Sequence, residues 1–228
     1  MLTANTLRFL VDLAENNNRE WFQENRKRYE EAKADFTHLV SNLLKEISQT
    51  EDLGNTEPKD CIFRINRDIR FAKDKRPYKK NFSAAFGPGG RHSGRVDYYL
   101  HIQPGNESFL GAGMWSPAAA QLAKYRQEVD YNAAELKKII HAEDFRTYFP
   151  EIHGESIKTT PKGFSKDHPE IELLRRKELF FSHRFTDKEV LSKNLIPEVL
   201  KGVTLIKPYC DFLNYIFHDE PEADTIIT

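Results

Sequence analysis

The sequence predicts an α+β domain: a small antiparallel sheet of about four to five strands, covered by helices from both ends of the chain. Three observations predict it. Apolar residues recur at helical spacing before residue 50 and after residue 116, whereas between Cys61 and Trp115 the period shortens to two. The chain has 228 residues, 39% hydrophobic and 12% aromatic, enough apolar material to bury one core despite 30% charged residues.

At the N-terminus, Leu7, Leu10, Val11 and Ala14 fall on one helical face. Phe22, Tyr29, Phe36, Leu39, Val40, Leu43, Leu44 and Ile47 continue the period as a second, long helix. Asn17 followed by Glu20 resembles a capping box at its start, with Asn16 and Asn18 as competing caps. The polar stretch 49–59 is read as a loop. Residues 62–71 are expected to open the sheet as a strand, and Phe82, Ala84 and Phe86 suggest the next. Val96, Tyr98, Leu100 and Ile102 alternate with Asp97, Tyr99, His101 and Gln103 as in a half-buried strand. Residues 109–115 complete a meander whose turns are marked by Gly87-Pro88-Gly89-Gly90 and Pro104-Gly105-Asn106.

Ser116-Pro117 predicts a helix start, with the helix running to about Glu128. Asn132 with Glu135, Asp167 with Glu170 and Thr186 with Glu189 predict three more starts, and residues 178–185 one further strand. From Ile196 to Phe217 the apolar spacing is helical, although Gly202 and Pro208 are expected to bend or break a single helix. No repeat or long linker divides the chain. Residues 1–218 are therefore read as one domain and 219–228 as a frayed acidic tail.

A net charge of −1 and a pI near 6.7 exclude a globally basic nucleic-acid binder. The average hides a patch, however. Residues 64–80 hold eight basic side chains against Asp68 and Asp74, a local +6 that leaves −7 for the remainder. Cys61 and Cys210 stand alone, which favours a reducing, cytoplasmic setting over a disulfide framework. No run has the length of a membrane span, and the first residues do not read as a secretion signal, so no membrane partner is expected.

The common phosphate-loop, hydrolase-elbow and zinc-helix motifs do not occur, and the eight histidines form no pair at metal-ligand spacing. Neither a metal nor a cofactor is expected. The informative run lies between Arg64 and Tyr78 and reads R-x-x-R-D-x-R-F-x-x-x-K-x-P-Y. On Arg64, Arg67, Asp68, Arg70, Phe71, Lys75, Pro77 and Tyr78 the chain resembles a bacterial family of about its own length, the domain of unknown function DUF2461. The similarity extends through Tyr98-Tyr99-Leu100, the stretch from Gly111 to Pro117, and Pro161-Lys162-Gly163-Phe164. This resemblance implies a full-length, single-domain protein and carries no established activity, ligand or catalytic residue.

Function must then be read from the residues. On a strand at 62–71, Arg67 would share the apolar face with Ile65, Ile69 and Phe71, and a buried guanidinium needs a partner. In one reading Arg64, Arg67, Arg70, Lys75 and the hydroxyls of Tyr78 and Tyr99 converge on a phosphorylated or carboxylated small molecule. An enzyme of this kind would use Asp68 or His101 as acid or base. A second reading puts RNA or a single strand on the basic edge, with Phe71, Tyr78 and Tyr99 as stacking surfaces; the acidic remainder of the chain ranks it lower. In a third the motif is purely structural, with its arginines saturated internally. Lys73 to Lys80 is then an exposed loop, or else a rim that guides an anion. Gly111 and Gly113 fit either tight packing or close approach of a ligand.

Overall fold

A computed structural model describes residues 2–218, and the acidic tail lies outside them. Helix α1 (Ala4–Glu15) buries Leu7, Phe9, Leu10 and Leu13. The asparagine competition resolves by position. Asn18 caps α2 (Arg19–Glu24) by accepting from the Trp21 amide, whereas Asn17 turns away and clamps the backbone of Tyr78 with two 3.0 Å bonds. The long second helix is in fact two, because Asn25 leaves helical geometry between α2 and α3 (Arg26–Ile47). Helix α3 buries Phe36, Leu39, Val40 and Leu43 at helical spacing. One turn, α4 (Pro58–Cys61), follows the polar stretch.

Residues 62–71 depart from expectation, making only isolated bridges, Ile62 to Ala84 and Asn66 to Tyr78. They fold back on 77–79 through Arg67 N to Pro77 O and Lys79 N to Ile65 O. The side chains of Asp68 and Asp74 accept from the amides of Arg70 and Arg76, two residues ahead, so local turns take donors that a ladder would need. Pro77, which has no N–H, interrupts the return limb.

The sheet comprises β1 (Phe82–Phe86), β2 (Tyr98–Ile102), β3 (Ser108–Met114), β4 (Glu151–His153) and β5 (Leu179–Phe185), in the order β1-β2-β3-β5-β4 and antiparallel throughout. Between β3 and β4 run α5 (Ala119–Ile140) and α6 (Glu143–Tyr148). Two expected helices merge in α5 across a kink at Asn132, whose backbone leaves the helical region. The start after Ser116-Pro117 shifts to Ala119, where Gln121 accepts from the Ala118 amide. Near β5 sit two single turns, α7 (Ile171–Leu174) and α8 (Asp187–Val190). The predicted Thr186–Glu189 capping box forms at α8.

Helix α9 (Leu195–His218) runs unbroken through Gly202 and Pro208. Burial of Val199, Val203, Ile206, Tyr209, Cys210 and Leu213 outweighs the local cost of about 3 kcal/mol for an interior proline. Helices α3 and α9, with α5 packed on α9, cover one face of the sheet, the face that carries Tyr98, Leu100, Ile102, Leu110, Ala112, Met114, Phe181 and Phe185. Both cysteines are buried and unbridged, and burial pushes the Cys61 thiol up to about 12. Among the described residues no helix is long and apolar enough to cross a membrane.

Candidate functional site

The opposite face of the sheet is not covered by helices. Strand alternation places Ser83 and Ala85 of β1, Tyr99 and His101 of β2, Phe109, Gly111 and Gly113 of β3, Phe180, Ser182 and Arg184 of β5, and Glu151 and His153 of β4 on it. Registers set them in rows. One runs Ala85, Tyr99, Gly111, Ser182, Glu151 and the next Ser83, His101, Phe109, Arg184. Over these rows lies a cleft of about 780 Å³, within the range of small-molecule sites.

The floor of the cleft is aromatic. Phe63 meets Tyr99 edge-on at 5.9 Å, Tyr99 lies 5.7 Å from Phe109, and His101 stacks on Phe109 at 4.8 Å. Phe109 meets Phe180 at 6.4 Å, and the largely exposed Trp115 meets Phe180 at 5.8 Å, so the rings continue from Phe63 across three strands to the chain just after β3. Gly111 is required here: a Cβ would come within 2.5 Å of both the Phe180 ring and the Phe181 carbonyl.

Polar groups are placed unevenly around this floor. Toward β4, Arg184 donates to Glu151 and Glu107 at 2.8 and 2.7 Å, and His153 Nε2 lies 2.7 Å from Ser182 Oγ, so charges there are largely matched. Glu151 approaches that same Nε2 at 3.4 Å, leaving Nδ1 without the carboxylate that orients a hydrolytic histidine. Toward β1, Lys79 Nζ sits 5.4 Å from the Phe63 ring centre, and burial together with Arg64 lowers its pKa. Burial also lowers His101 and raises Tyr99, whose hydroxyl is 3.4 Å from His101 Nδ1. At the start of β2, Asp97 accepts from Ser93 Oγ at 2.6 Å, and burial pushes its carboxyl up to about 6.

Of the residues singled out in the sequence, Tyr99 and His101 line this cleft. The arginine motif is largely satisfied elsewhere. Asp74 holds Arg67 and Arg76, each at 2.8 Å, and Asp68 grips Arg70 with two bonds of 3.0 and 2.7 Å. Those contacts hold the carboxyls of Asp74 and Asp68 below the usual range, the bond from Arg76 dominating at the first and that from Arg70 at the second. Lys75 donates to the carbonyls of Ile69 and Arg70. Tyr78 is buried and stacked on Phe22 at 4.0 Å. Arg67 is partly buried rather than enclosed, and Phe71 is 96% exposed. Arg64 and Lys79 form no ion pair among the described residues. Asp68 and His101 are not brought together, since Asp68 faces solvent at the turn.

Asp97, Phe109, Phe180, Ser182, Arg184 and His153 complete the cleft without having been singled out as site residues. Alternation along 179–185 signals the β5 group; nothing in the sequence signals a three-residue β4. Among the described residues no three His, Cys, Asp or Glu side chains gather as a metal site would. No curated protein and no solved structure matches the chain. A family model described as conserved hypothetical protein (DUF2461) matches residues 5–212, and the chain belongs to that family.

Proposed function

We propose that the chain binds a small molecule with a planar body and a phosphate or carboxylate group on the open face of its sheet. The observation that carries this reading is the continuous ring floor from Phe63 to Trp115, bordered on the β1 side by cations that lack carboxylate partners. Rings offer stacking surface to a planar ligand, and a partly desolvated Lys79 beside Arg64 is stabilised by an incoming anion. Tyr99 and His101 face the ligand directly; Arg67, Arg70 and Lys75 shape the loop that carries Lys79. The cleft carries Asp97, Glu107 and Glu151 beside Arg91, Arg95 and Arg184, so it offers a long polyanion no extended basic stripe.

The test is a melting screen of purified protein with planar phosphorylated and carboxylated metabolites beside ribose 5-phosphate and inorganic phosphate. Saturable stabilisation by planar members only, weakened by Tyr99→Ala and by Lys79→Ala, is the expected result. Equal stabilisation by inorganic phosphate would reduce the site to an anion patch. Tight oligonucleotide binding with a steep salt dependence would favour a nucleic-acid surface.

A further inference from the structure

We propose that the ligand is a heterocycle whose ring edge donates N–H hydrogen bonds to Asp97 while its anionic arm points toward Lys79 and Lys80. This rests on the reading above and adds polarity to it. Asp97, immediately before β2, is followed at two-residue steps by Tyr99 and His101 on the open face of that strand, and extended chain would separate the first and last Cα by roughly 13 Å. Phe82 pairs with Ile102, so Lys79 and Lys80, just before it, lie toward the His101 end, where Glu107 is held by Arg184, and Asp97 lies at the other end.

Asp97 is a carboxylate short of donors. Its one side-chain partner among the described residues is the Ser93 hydroxyl, whereas an ionised carboxylate has about four acceptor positions. The nearest cations do not neutralise it. Arg91 is committed to the carbonyls of Lys59 and Asp60, and the exposed Arg95 acts only at longer range, with Glu51 opposing it. The backbone makes room for the group at Gly87, where a Cβ would come within 2.0 Å of Asp97 Oδ1. An uncharged N–H edge supplies donors without repelling the cations that hold the arm. Guanine and pterin rings carry two adjacent donors of this kind on a planar body suited to the ring floor.

Calorimetric titration of the full chain with GMP, IMP, guanosine and 6-carboxypterin tests this. IMP lacks the 2-amino donor of GMP, so the expected result is weaker IMP binding by about tenfold, a difference that Asp97→Asn removes. Guanosine should bind more weakly than GMP and remain sensitive to Asp97→Asn. Response to 6-carboxypterin alone, equally dependent on Asp97, would assign the edge to a pterin. If Asp97→Asn fails to fold, the GMP to IMP ratio of the unaltered protein decides. Equal GMP and IMP affinities, both weakened by Lys79→Ala and neither by Asp97→Asn, would overturn the donor edge and leave the cleft reading standing. Absence of binding by all four, together with failure of the melting screen, would overturn both.

Discussion

The basic segment 64–80 and the open face of the sheet differ in how their polar groups are satisfied. In the segment, acid and base lie close in sequence: Asp68 reaches Arg70, and Asp74 reaches Arg76 and Arg67. On the sheet face, Asp97 and the ring floor come from separate parts of the chain, Asp97 keeps open acceptor positions, and Lys79 at the edge lies over the Phe63 ring. Density of charge in a sequence therefore marks where charges are, not where they are free. Local Asp–x–Arg turns absorb them before a ligand can.

The comparison breaks most visibly at Tyr78, which the segment contributes to the core. Tyr78→Ala removes the stack on Phe22, and denaturant unfolding should show a loss of about 3 to 5 kcal/mol. Affinity of the folded fraction for planar anions should be unchanged. A midpoint equal to that of the unaltered protein would show that the segment is not anchored there.

Asp97→Asn should act in the other direction. Burial raises the Asp97 carboxyl from the ordinary aspartate range to about 6, so the ionised form destabilises the fold. The native state binds this proton more readily than the unfolded chain. Its contribution is thus full below about pH 4 and is lost as pH rises through 6. Denaturation across pH should find the variant level with the unaltered protein at pH 4 and more stable at pH 7, by up to about 2 kcal/mol. Equal stability at both pH values would contradict the burial of this group.

Smaller effects sharpen the contrast. Arg67 and Asp74 are 27% and 39% exposed, so their pair is screened rather than fully desolvated. Arg67→Ala should cost about 1 kcal/mol, well below the loss expected had Arg67 lain inside an apolar strand face. Lys79→Ala should leave stability within about 0.5 kcal/mol while weakening a planar phosphate about tenfold, as titration can show.

Alternation in β2 was readable because its burial is one-sided: Tyr98, Leu100 and Ile102 point in, and Tyr99 and His101 point out. That pattern located half of the cleft. The expected strand at 62–71 failed because Asp68 and Asp74 compete locally for backbone donors, and apolar alternation does not weigh such turns. The break at Asn25 and the continuous α9 show tertiary contacts deciding where propensity is weak or contrary. Lys79 and Asp97 each read as ordinary surface charges. Only the fold puts one over Phe63 and packs the other against Gly87.

The central claim is that binding belongs to the open sheet face rather than to the basic segment. A map of backbone amide chemical shifts during titration with GMP tests it most directly. The account predicts saturable shifts at Asp97 through His101, Phe109 through Gly113 and Phe180 through Ser182, with residues 67–76 little changed. Shifts confined to residues 67–76, with the sheet silent, would contradict it.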